Sequence, residues 1–133
     1  MSAVVDASLL VAATVDSGPE GAWAEEVAGR GNLVAPDLAL VEATNILRRL
    51  EAAGRLERVE AGAAAHDLLQ LDLALVPFAP FADRVWELRH NLTSYDAWYV
   101  AAAEELDLPM ATLDRRLAAA TGPSCRFLLP PRR

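Results

Sequence analysis

The chain has 133 residues, 53% of them hydrophobic, and a formal charge of −7, enough apolar material to fill the core of one compact domain spanning 1–133 and too much for disorder by composition. No apolar run approaches the ~20 residues of a membrane span, Asp6 interrupts the N-terminal stretch before it could act as a signal peptide, and the lone Cys125 excludes an internal disulfide, so a cytoplasmic protein is expected. The acidic balance argues against nucleic-acid binding unless several acids share one site where bound cations cancel their charge.

In chain order, a first strand is expected at Ala3–Val5, ending in Asp6, followed by an apolar helix over Ala7–Val15 that the turn signal Asp16-Ser17-Gly18-Pro19 closes. A second helix is expected near Glu20–Ala28 with Gly29 as its stop, then a short strand at Leu33–Ala35. Pro36 and Asp37 read as the start of a helix running to about Ala53, with Gly54 beyond it. A further helix is expected over Glu57–Leu71, a strand over Leu73–Phe78, and a helix from Pro80 to about Arg89. The turn His90–Ser94 leads into a helix over Tyr95–Leu106 and a fourth strand at Leu108–Thr112. A short helix at Arg115–Ala120 and a candidate edge strand at Cys125–Leu129 complete the chain. Short apolar strands alternating with helices belong to a parallel sheet covered on both faces, so the expected class is α/β.

Binding sites in open parallel sheets form beyond the C-terminal ends of the strands. Asp6 follows the first strand and Asp114 the fourth, Asp96 sits in the first turn of the helix before that fourth strand, and Glu42 lies in the helix after the second. Four acids from distant parts of the sequence can therefore converge on one rim. Singly, each aspartate is also accounted for as a helix cap or first-turn acid, with Thr93-Ser94-Tyr95-Asp96 fitting a capping box. Glu42 lacks that account: Leu38 and Ile46 lie one turn away, and a carboxylate in an apolar strip without a partner costs several kcal/mol or stays protonated. Asn45 and Arg49 follow it on the same side of the helix.

These residues also carry a likeness. Val4-Val5-Asp6-Ala7-Ser8, Glu42-Ala43-Thr44-Asn45, Tyr95-Asp96-Ala97-Trp98-Tyr99 and Thr112-Leu113-Asp114-Arg115-Arg116 resemble, in order and over nearly the whole chain, the motifs of PIN-domain ribonucleases, most closely the toxin half of VapBC-type toxin–antitoxin pairs. The resemblance implies a three-layer α/β/α sandwich with a short, mainly parallel sheet of four to five strands. It further implies a divalent metal at the acids, endonucleolytic cleavage of RNA, a small antitoxin covering the site, and homodimerisation. Some relatives carry a further acid shortly after the Thr-x-Asp, where this chain has Arg115, Arg116 and Leu117; one firmly held ion is therefore expected.

Carboxylates without a His or Cys cluster suit Mg²⁺ or Mn²⁺ rather than zinc, and His66 and His90 have no ligand spacing. Asp6 and Asp96 are the expected primary ligands, with Asp114 completing the shell directly or through water and Glu42 binding the metal through water or orienting the attacking hydroxide. Ser8, Asn45 and Thr112 are candidates for holding those groups in place, and Arg115 and Arg116 for meeting a substrate phosphate. Trp23, Trp86, Trp98, Tyr95 and Tyr99 could stack bases, although helical spacing fits core or interface positions for most. All 12 basic residues are arginine, in pairs at Arg48/Arg49, Arg115/Arg116 and Arg132/Arg133 that singly read as solvated faces and a tail. The missing lysine excludes Schiff-base and P-loop chemistry and removes the rival reading of a phosphorylatable receiver-like domain. An Asp-x-Asp phosphatase fails at Ser8, dinucleotide binding lacks its glycine fingerprint, and a non-catalytic domain of the same fold stays open.

Overall fold

The computed structural model describes residues 2–132; Met1 and Arg133, the two ends of the expected domain and one half of the last arginine pair, lie outside the described residues. Five parallel strands form one sheet in the order β3-β2-β1-β4-β5, built from β1 (Ala3–Val5), β2 (Leu33–Pro36), β3 (Leu73–Val76), β4 (Met110–Ala111) and β5 (Phe127–Leu128). β1 is central, pairing Ala3 with Leu33 on one side and Val4 with Met110 on the other. The chain first winds outward from β1 to β2 and β3, then crosses back to β4 and β5. Between β1 and β4 the winding reverses, and a crevice at the strand ends follows from that reversal.

Among the described residues seven α-helices cover the sheet: α1 (Ala7–Val15), α2 (Pro19–Gly29), α3 (Ala39–Ala52), α4 (Arg58–Leu68), α5 (Ala82–Glu87), α6 (Ser94–Leu106) and α7 (Arg115–Ala118). α1 packs with α2, α3 and α4 on one face, while α6 lies on β1, β2 and β4 with α5 beside it, giving the expected three layers. α6 is buried from Ala97 through Ala103. Its run of alanines lets the helix approach the sheet closely, while Trp98, Tyr99 and Val100 fill the wider gaps.

Several expected bounds move for physical reasons. Pro36 does not start a helix but ends β2, where it pairs with Val76, and the Asp37 amide donates to the Val76 carbonyl at 3.0 Å. The helix expected from Pro80 begins as a 3₁₀ turn, Ala79–Phe81, because proline fits a first turn but donates nothing to it. β3 is not covered on both faces: Ala74 and Leu75 are exposed on this outer strand. Its continuous apolar run looks the same in sequence as a central strand.

The C-terminal segment is tied down by a polar node. Arg84 grips Glu104 with two hydrogen bonds, Nε to Oε1 at 2.6 Å and Nη2 to Oε2 at 3.0 Å, and Nη2 also donates to the Gly122 carbonyl at 3.0 Å. The Ser124 amide and hydroxyl donate to the same Glu104 Oε2 at 2.7 and 2.9 Å. This cluster holds the turn at Gly122, whose φ of +116° favours glycine, against α5 and α6.

Candidate active site

Asp6 terminates β1 and caps α1: its Oδ1 accepts from the Leu9 amide at 3.0 Å and from the Ser8 hydroxyl at 2.7 Å. Its Oδ2 accepts from the Thr112 hydroxyl. Thr112 follows β4, is fully buried, and also accepts from the Asp114 amide at 3.0 Å. Asp114 caps α7 through Oδ1, which accepts from the Arg116 and Leu117 amides at 3.0 and 3.1 Å. The capping role inferred for these aspartates is thus real, and it fixes the carboxylates at the reversal in the sheet. Asp96 is different: Thr93 caps α6 by accepting from the Asp96 amide at 3.1 Å. The Thr93 side chain also meets the Asp96 carboxylate, a contact that lowers its pKa but does not outweigh burial.

Glu42 is half-buried on α3, and Tyr99 of α6 donates to its Oε1 at 3.1 Å. In the sequence Tyr99 reads as a base-stacking candidate or a core or interface residue, yet it lies three positions after Asp96, on the same face of α6, which is the signal that links it to the acids. Burial raises the Asp6 carboxyl above its ordinary value despite its three hydrogen bonds. Burial likewise raises Asp96, with the charges of Asp114 and Asp6 adding to it, and raises Glu42, where Asp96 and Asp6 repel it. Among the described residues no basic side chain offsets that repulsion at these three acids. The four carboxylates form one electrostatic unit short of positive charge.

The other candidates divide. Arg116 lines a cavity of about 340 Å³ with Asp96, Asp114, Asn91 and Thr93, so it faces the acids. Arg115 turns away and donates to the Pro130 carbonyl, beside Trp23 and Arg132. Asn45 is exposed, and its side-chain oxygen accepts from Arg48 Nε at 2.9 Å rather than serving an acid. Ser8 and Thr112 both touch Asp6.

The donor set fits a hard divalent ion: carboxylate oxygens only, partly desolvated and mutually repelling. Among the described residues no three His, Cys, Asp or Glu side chains stand close enough to ligate one ion together. Such an ion would take one or two carboxylates directly and reach the others through water, the usual habit of Mg²⁺.

The profile of the PIN domain matches residues 3–123. This chain belongs to the PIN-domain family. Ribonuclease VapC1 of Mycobacterium tuberculosis is 37% identical to it over 127 residues, covering 95% of this chain and 96% of the relative. Among solved structures, PAE2754 from Pyrobaculum aerophilum shares this PIN fold with a TM-score of 0.67 at 29% identity, covering 90% of this chain and 86% of its own. VapBC2 from Rickettsia felis, bound to a DNA fragment from its promoter, has the same fold with a TM-score of 0.65 at 14% identity, over 97% of this chain and 98% of its own. In this PIN domain the four acids stand at the switch point of the sheet.

Proposed function

We propose that the chain is a Mg²⁺- or Mn²⁺-dependent endoribonuclease, the toxin of a type II toxin–antitoxin pair, with Asp6, Glu42, Asp96 and Asp114 as its catalytic acids. The observation that carries this is a buried Asp6 with the half-buried Glu42 and Asp96 and the exposed Asp114 gathered beside it, unneutralised, at the strand ends of a PIN domain with ribonuclease relatives. Asp6, Asp96 and Asp114 would hold the metal. When bound, a divalent ion supplies Lewis-acid stabilisation of charge on the phosphoryl group and eases deprotonation of water.

The chain's own residues account for positioning and proton handling. Ser8, Thr112 and the Leu9 amide clamp Asp6 in one orientation, so ordering the site costs little when substrate arrives. Glu42, with a carboxyl raised above its ordinary value and one oxygen anchored by Tyr99, is suited to orient the attacking water and accept its proton. Arg116, which lines the same cavity as Asp96 and Asp114, offers a guanidinium for a substrate phosphate, a role the orientation of Arg115 does not support. A small antitoxin covering the acids, a homodimer and a cytoplasmic location complete the reading, the antitoxin supported by the VapC name of a relative and the VapBC2 name of a structure of the same fold.

The test is cleavage of total cellular RNA with the ends mapped by sequencing. Asp6→Asn and Asp96→Asn should each abolish Mg²⁺- or Mn²⁺-dependent cleavage while leaving the circular dichroism spectrum unchanged. Equal cleavage by the variants, or by the parent chain in excess EDTA, would sink the proposal.

A further inference from the structure

On the rim that carries the acids, but over β2 and β3, lies a cavity of about 420 Å³ lined by Asp37, Leu38, Phe78, Ser94, Tyr95 and Trp98. Asp37 comes directly after β2 and Phe78 shortly after β3, while Ser94 and Tyr95 open α6. Its walls are apolar and aromatic. Phe78 meets Trp98 edge-on, with ring centroids 5.3 Å apart, and Leu38, Phe78 and Tyr95 remain 40%, 43% and 57% exposed. Contiguous exposed surface of this kind marks a place of contact. Trp98 is itself 7% exposed, and its Nε1 is the one buried side-chain polar atom among the described residues with no hydrogen-bond partner. An orphaned buried donor is met by an ordered water or by an acceptor from outside the chain.

Two continuities join this cavity to the acids. Tyr95 immediately precedes Asp96 in the first turn of α6. Leu38 lies one turn before Glu42, whose amide donates to the Leu38 carbonyl at 2.9 Å. A strand drawn across the carboxylates thus brings the group next to its reacting phosphate onto the cavity. Asp37 is the only charged residue in the lining, and its carboxylate turns away a phosphate. The fitting occupant is flat, uncharged, apolar on its faces and supplied with acceptors at its edge.

We infer that this cavity is a nucleobase subsite, in which one unstacked base of the RNA, next to the cleaved phosphodiester, stacks on Tyr95 between Leu38 and Phe78 and brings acceptors to the Trp98 indole. Single-stranded RNA is commonly held this way, with bases splayed onto aromatic side chains. The inference rests on the nuclease reading above. It adds direction: RNA runs along the strand ends from Arg116, past the acids, to Tyr95.

The experiment uses a short unstructured RNA oligonucleotide containing one mapped cut, and versions with an abasic nucleotide at each position around it. With the parent chain and Mn²⁺, one position beside the cut should be sensitive, its abasic version losing about tenfold or more in kcat/KM. Tyr95→Ala should lose a similar factor on the intact oligonucleotide and become insensitive to the abasic change at that position, while Tyr95→Phe retains parental behaviour. The oligomeric state of each variant is measured alongside by light scattering. Cleavage by the parent with no sensitive position, or equal sensitivity in Tyr95→Ala, overturns the subsite and leaves the nuclease standing. Dissociation of a parental dimer by Tyr95→Ala, without the abasic coupling, makes the patch an interface between copies and overturns it also. No cleavage by the parent overturns both readings.

Discussion

Thr112 has no exposed surface, and its hydroxyl serves two acids at once, donating to Asp6 Oδ2 and accepting from the Asp114 amide. Thr112→Val keeps the shape but leaves both partners unpaired, so a loss of roughly 1–3 kcal/mol in urea unfolding is expected. Cleavage should fall about 10–100-fold, as when the outer partner of a metal ligand is removed, whereas Thr112→Ser should keep most of both. Tyr99→Phe removes the anchor of Glu42 while the ring keeps its packing; single-turnover cleavage should drop severalfold, by about 1 kcal/mol of barrier for one lost hydrogen bond. An unchanged rate would detach Glu42 from proton handling. The acids, Ser8 and Thr112 could be read in the sequence because strand ends and chemistry mark them. Asn45 and Arg115 could not be assigned that way. Periodicity gives the sector of a helix but not the rotamer, and Arg48 claims Asn45 from three residues on. Adjacent residues on a helix point about 100° apart, which separates Arg116 at the acids from Arg115 at Pro130.

α1 and α2 pack against each other so closely at one point that only glycine fits. A Cβ at Gly21 would stand 1.8 Å from the Asp16 carbonyl oxygen and 2.6 Å from its carbon. Backbone cannot swing aside as a side chain can, so Gly21→Ala must push α2 away from the end of α1. Overpacking costs typically 1–3 kcal/mol, and the upper end or beyond is expected here, read as a lower midpoint in thermal unfolding. Gly29→Ala at the far end of the same helix meets nothing within 4 Å and should change stability by less than about 0.5 kcal/mol. An equal effect at both sites would mean that helix propensity, not the close approach, governs Gly21. In sequence Gly21 is simply a poor helix former inside a helix; the contact that explains it depends on how two elements meet. The same holds for Arg84 and Glu104, twenty positions apart, whose pairing no local pattern announces. Element order and the parallel sheet were legible because apolar runs and turn residues are local. Which outer strand stays uncovered was not, since β3 carries the same composition as a central one.

At the scale of the molecule, two sets of acids pull stability in opposite directions with pH. Burial alone would raise the Glu104 carboxyl, but hydrogen bonds from Arg84 and Ser124 outweigh it and hold it below its ordinary value of 4.5. That node therefore adds stability above the unfolded value, which is lost as pH falls through the folded one. Asp6, Glu42 and Asp96 behave in reverse: their carboxyls, raised above ordinary values of 3.8, 4.5 and 3.8, bind protons more tightly in the folded chain. Their contribution is full below the unfolded range and declines as pH rises through the folded values, so near neutrality the cluster holds charge at a cost. A divalent ion relieves that cost only where the acids are ionised. Mn²⁺ at a hundredfold excess over Kd should stabilise the chain by roughly 2.7 kcal/mol near pH 7.5, a rise of several degrees in Tm, and by much less near pH 5. Asp96→Asn, which removes one repelling charge, should raise the Tm of the metal-free chain near pH 7.5 and shrink the Mn²⁺ response together. Calorimetry of both proteins at the two pH values, with and without Mn²⁺, checks this. A Mn²⁺ response of equal size at both pH values would mean that the ion binds elsewhere than at these carboxyls.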